Sequence, residues 1–100
     1  KMINYTQTIT QTITGDWSVQ NVFINFAEFI ANVRFKCMDS NGVLVDTFAI
    51  DYLKTDNTFG YDYFWQNFNS GLFLLQELIR VKGWVGINIP NNIEQDFLSN

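Results

Sequence analysis

Ala27, Phe29, Ala31, Val33, Phe35 and Cys37 alternate with a mostly polar set, Glu28, Asn32, Arg34 and Lys36. That is the period of a half-buried strand. Asp39-Ser40-Asn41-Gly42 then turns the chain, because Asp and Asn side chains bond nearby backbone and Gly accepts positive φ. Residues 43–53 form a second β-rich run, and the order predicts a hairpin with strands over 27–38 and 43–53. A type I turn closing in a bulge at Gly42 sets Asp39 opposite Val43. Carried along both strands, this register pairs Cys37 with Val45, Phe35 with Thr47, Val33 with Ala49 and Lys36 with Asp46. It leaves Met38, Leu44, Phe48, Ile50 and Tyr52 on the opposite face, so both faces need some cover.

Before the hairpin, residues 3–14 repeat Gln-Thr-Ile-Thr twice. In one extended strand over 4–14, Thr6, Thr8, Thr10, Thr12 and Thr14 share a face and Tyr5, Ile9 and Ile13 lie on the other. Such a thin apolar face suits an edge strand, or an arm over 1–14 that pairs with a neighbouring subunit. Gly15-Asp16 reads as a turn. Residues 18–26 fit helical spacing from a Ser18 cap, but Val19, Val22, Phe23, Ile24 and Phe26 favour a strand buried on both sides.

Residues 54–60 are polar and turn-rich. A helix is expected over 63–82, with Phe64, Phe68, Leu72, Leu75, Leu78 and Ile79 in one stripe, basic Arg80 and Lys82 near its end and Gly83 as the stop. It should cover the face carrying Phe35 and Val33. Residues 84–90 alternate again as a strand ended by Pro90, and Asn92 can cap a short helix over 92–98. The fold class is therefore α+β, mainly an antiparallel sheet with one main helix packed on it. One hundred residues suffice for a single domain over 1–100.

Composition changes the picture in two ways. Charged residues are 16% of the chain against an ordinary quarter, and aromatics are 17%, more rings than a two-layer domain of this size readily hides. A protein interface is the expected use of the surplus, with Thr6, Thr8, Thr10, Thr12, Trp17, Tyr61, Tyr63 and Trp65 as its candidate residues. A net charge of −4 with six scattered basic residues argues against a phosphate-backbone binder, so no nucleic acid is expected. No apolar run approaches the roughly eighteen residues of a membrane span and no signal peptide is visible. A cytoplasmic or virion-associated location is expected.

Candidate chemistry is sparse. The absence of His removes the commonest proton shuttle and zinc ligand. Cys37, on the apolar face of its strand, reads as packing. Asp51, Asp56 and Asp62 could meet around the 54–60 loop for carboxylate acid–base work, but carboxylates on turns are usually solvated. Asp39-Ser40-Asn41-Gly42 lacks the further acids of a calcium loop. No catalytic residue, cofactor or metal is expected. The reading that absorbs low charge, excess rings and a Thr-rich arm is a non-enzymatic structural or assembly protein acting as a homo-oligomer, its partner being itself. Its Asn-rich, His-free usage is typical of AT-rich coding, which phages and some bacteria share, and is compatible with a phage-type particle component. The alternative is an acidic inhibitor or adaptor that blocks a larger partner protein, and a small carboxylate enzyme comes third.

Overall fold

Four strands in antiparallel order β1-β2-β3-β4 form one sheet: β1 (Ile3–Thr8), β2 (Thr12–Asn25), β3 (Ile30–Met38) and β4 (Leu44–Leu53). Two helices follow, α1 (Tyr61–Trp65) and α2 (Gly71–Lys82). This computed structural model describes residues 3–8 and 12–86, with side chains over 16–86. The arrangement is α+β, as the patterning predicts. The expected helix 92–98 and most of the expected strand 84–90 lie outside the described residues; within the latter, 84–86 carry no strand and Gly86 has a positive φ.

The Thr-rich segment is not one strand. Thr8 pairs with Thr12 and Ile3 with Trp17, so β1 folds back on the start of β2 within the same chain. Gly15 and Asp16 belong to β2, pairing with Tyr5 and Asn4, instead of forming a turn. Residues 18–25 are strand, as preferred, and their mixed pattern has a mechanical origin. The pairing with β3 runs Val19 to Phe35 and then Asn21 to Arg34, leaving Gln20 as a bulge. One extra residue inverts the facing of everything after it. Trp17 and Val19 therefore point into the core before the bulge, and Val22 and Ile24 pack against it afterwards.

A second bulge corrects the register of the β3–β4 hairpin. The turn closes as expected: Asp39 N–H bonds to the Val43 carbonyl at 2.9 Å, Gly42 N–H to the Asp39 carbonyl at 3.0 Å, and Gly42 takes φ 76°. Pairing then steps from Met38–Leu44 to Cys37–Asp46, so Val45 is the extra residue. Phe35 thus opposes Phe48 and Val33 opposes Ile50, while Lys36 opposes Thr47 instead of Asp46. Phe48, Ile50 and Tyr52 join the core face, contrary to the simpler register. Burying those three in place of Val45, Thr47 and Ala49 removes far more apolar surface from water.

β3 begins at Ile30, not at 27, because residues 26–29 form the turn from β2. The expected continuous helix is divided. α1 ends at Trp65, and Asn67 Nδ2 donates to the Tyr63 carbonyl at 3.0 Å, the kind of side-chain bond that competes with helical backbone. Ser70 then caps α2, its Oγ accepting from Phe73 N–H at 3.2 Å. Gly83, left-handed, ends α2, and its N–H bonds back to the Ile79 carbonyl at 2.9 Å. Leu74, Leu75 and Leu78 from α2 and Tyr61 and Phe64 from α1 complete one core with Val33, Phe35 and Tyr52. Gly60 makes the entry to α1 tight: any Cβ there would overlap the backbone oxygens of Leu53 and Asp56. No helix among the described residues is long and apolar enough to cross a membrane.

Candidate functional site

Two clusters of side chains stand out, one polar and buried, one aromatic and exposed. The first centres on Glu77, only 2% exposed on the inner side of α2. Tyr52 OH of β4 donates to Glu77 Oε1 at 2.7 Å and Tyr63 OH of α1 donates to Oε2 at 2.6 Å. Arg80 grips both oxygens, Nε on Oε2 at 3.0 Å and Nη2 on Oε1 at 2.7 Å. Its guanidinium also lies 3.8 Å from the centroid of Phe59 in the 54–60 loop. Each carboxylate oxygen thus has one phenol and one guanidinium donor, and β4, the loop, α1 and α2 are tied at one point. A carboxylate so fully engaged is a clamp, with no oxygen left over for proton abstraction.

The electrostatics define the pH range in which the clamp holds. Burial, the largest influence, raises the Glu77 pKa, but the bonds from Arg80, Tyr63 and Tyr52 outweigh it and hold the group below its ordinary value. Such a carboxyl adds stability above its unfolded pKa, about 4.3, and the contribution is lost as pH falls through the folded value. Burial, then bonding to Glu77 and its charge, raises both phenols, Tyr63 to about 12. A phenol kept protonated by the fold stabilises fully below its unfolded pKa near 10 and loses that contribution as pH rises through the folded value. The denaturant midpoint should therefore be flat through neutrality and fall on either side. Between about pH 10 and 12 the fall should be smaller in Tyr63→Phe than in the wild-type chain; equal alkaline slopes would contradict the coupling.

The second cluster lies where the β2–β3 turn meets α1. Asn25 Oδ1 accepts from the N–H groups of Ala27 and Glu28 at 3.0 and 3.1 Å, fixing the turn. Phe29 takes φ 57°, the one positive φ among described non-glycine residues, a conformation costing about 1–2 kcal/mol. Its ring meets Tyr61 edge to face at 5.5 Å between centroids, and Phe26 meets Trp65 likewise at 5.0 Å. Trp65 in turn stacks on Phe68 at 5.4 Å. Phe26 remains 62% exposed and Trp65 41%. The result is an aromatic ledge set on a fixed turn.

The interface candidates are distributed differently from the expectation. Trp17 is a core residue, packed edge to face on Trp84 at 5.6 Å with its indole N–H buried and without an acceptor among the described residues. Tyr61 is buried and Tyr63 is half-buried in the Glu77 clamp; Trp65 is exposed on the ledge. Thr6, Thr8 and Thr12 lie in the β1–β2 hairpin, and Thr10 lies outside the described residues. Asp51, Asp56 and Asp62 are all exposed. Asp51 accepts from Asn32 at 2.7 Å, and Asp56 takes the N–H groups of Thr58 and Phe59, which hold its carboxyl below the ordinary value. Cys37 is fully buried, and burial first, then the charges of Asp46 and Asp16, pushes its thiol pKa up. Among the described residues no three acidic or Cys side chains converge as a metal site.

Sequence reading missed Glu77. The available signal was an acid at a core position of α2, between Leu74 and Leu78, with Arg80 three residues on. Comparison with protein-family models, curated proteins and solved structures yields no match.

Proposed function

We propose that this chain is a non-enzymatic structural or assembly protein that associates with copies of itself by extending its sheet across β1. The observation that carries the reading is the character of that edge. β1 is the first strand of the sheet and has β2 as its one neighbour among the described residues. Its six residues, Ile-Asn-Tyr-Thr-Gln-Thr, contain no charge and no proline, the devices by which edge strands avoid pairing with one another. The opposite edge, β4, carries Asp46 and Asp51, so copies joined there would bring acids together, whereas two β1 edges meet without repulsion. Each copy has one β1 edge, so the sheet continues through two copies and closes as a dimer, which suits a building block of a particle.

Lysine placed on the edge tests the proposal. The native mass of Thr6→Lys/Thr8→Lys should drop to that of a monomer while the far-ultraviolet dichroism stays unchanged. A monomeric wild-type chain, or an assembly indifferent to the two lysines, would refute it.

A further inference from the structure

We propose that the aromatic ledge formed by Phe26 and Trp65 is a docking site for the arginine or lysine side chains of a basic partner segment. The inference is independent of association through β1, since the ledge lies at the β2–β3 turn and β1 pairs with residues 12–17 at the other end of β2. Three of the six basic residues of this chain already use its rings in this way. Lys54 Nζ sits 4.6 Å from the centroid of Phe29, Arg80 sits over Phe59, and Lys82 Nζ lies 4.5 Å from Phe48. No such contact covers Phe26 or Trp65 among the described residues, and both stay open to solvent.

The charges around the ledge favour a cation. Glu28, two residues after Phe26 with its Oε1 accepting from Asn25 Nδ2 at 3.3 Å, and Asp62, one helical turn before Trp65, are both exposed. Lys54, the nearby base, is seated on Phe29. A cationic head over a ring face gains from the ring quadrupole, and a neighbouring carboxylate adds a charge-assisted bond. The net charge of −4 steers a basic segment towards the surface and disfavours an acidic one. Preorganisation points the same way: Asn25 fixes the turn, and Phe29 holds an unfavourable φ so that its ring braces Tyr61, on which Trp65 stacks. Rings already held in place lose little freedom on binding.

The test titrates the full chain, labelled with nitrogen-15, with a capped Gly-Arg-Gly-Arg-Gly peptide and with its glutamate counterpart. Saturable binding of the arginine peptide is expected, with shifts centred on residues 26–29 and 61–66. Trp65→Ala and Phe26→Ala should each weaken it by about two- to fivefold, and Glu28→Gln/Asp62→Asn should weaken it while leaving the rings unchanged. Both ring positions are exposed, so these variants should retain the wild-type spectrum elsewhere. Equal binding of the glutamate peptide, shifts centred on Asp46 and Asp51, or affinity unchanged by the ring substitutions would overturn the assignment. A fall in native mass caused by Phe26→Ala alone would place a second copy on the ledge and overturn it as well.

Discussion

Glu77→Ala should destabilise the fold by about 3–5 kcal/mol, the range for removing one partner of a buried, hydrogen-bonded ion pair. The loss has separable parts. Tyr52 is fully buried, and its hydroxyl would be left without the acceptor at 2.7 Å, a desolvation penalty of about 1–3 kcal/mol by itself. Arg80 has about a third of its side chain exposed, so its guanidinium can turn towards water, which moves the total to the lower end. Arg80→Ala, by contrast, leaves Glu77 buried with only its two phenol donors. In that variant the carboxyl loses its opposing charge and its pKa should rise, bringing the acid limb of stability closer to neutrality. Glu77→Gln keeps an acceptor of nearly the same shape and should cost less than Glu77→Ala. Urea titrations of the three variants check the order; a cost for Glu77→Ala below about 1 kcal/mol, as for a surface pair, would mean that the clamp does not hold the layers together.

The elements were legible wherever one hydrophobic period continued without interruption. β3 is such a case: Ala31, Val33, Phe35 and Cys37 alternate in sequence and are all buried. α2 is another, with its leucine stripe and its Gly83 stop. Where the period broke, the reading of faces failed, and the cause was twice the same. A bulge adds one residue and flips every side chain after it, but nothing local in the sequence declares which residue is unpaired. In β2 the change of phase blurred strand into helix; in β4 it placed Ile50 and Tyr52 on the wrong face. The 26–29 turn was hidden for another reason, because Phe29 occupies a left-handed position usually given to Gly or Asn. The Glu77 clamp was beyond reach of periodicity altogether, since its four side chains come from β4, α1 and α2 and meet only once all three have packed. The ledge was partly visible as the ring-rich run 61–68, but its other half, Phe26, comes from a turn that the sequence presented as strand.

Phe35→Ala should cost about 3–5 kcal/mol, and its comparison with β4 decides the register. Phe35 is fully buried at the centre of the sheet and opposes Phe48. Truncation removes the ring from a site walled by β-strand on both sides, β2 through Val19 and β4 through Phe48, where collapse is restricted and a cavity persists. Ile50→Ala, one pair along opposite Val33, should cost about 2–5 kcal/mol by the same mechanism. Thr47→Ala should change stability by less than about 0.5 kcal/mol, because the Val45 bulge turns Thr47 to the exposed side, opposite Lys36. In the register without that bulge, Thr47 would oppose Phe35 in the core and Ile50 would face outwards, so the two β4 substitutions would exchange their costs. Chemical denaturation of Ile50→Ala and Thr47→Ala therefore reads the position of one unpaired residue through the free energies of two others. A large cost for Thr47→Ala together with a small one for Ile50→Ala would remove the bulge, and with it the placement of Tyr52 against Glu77 on the inner face.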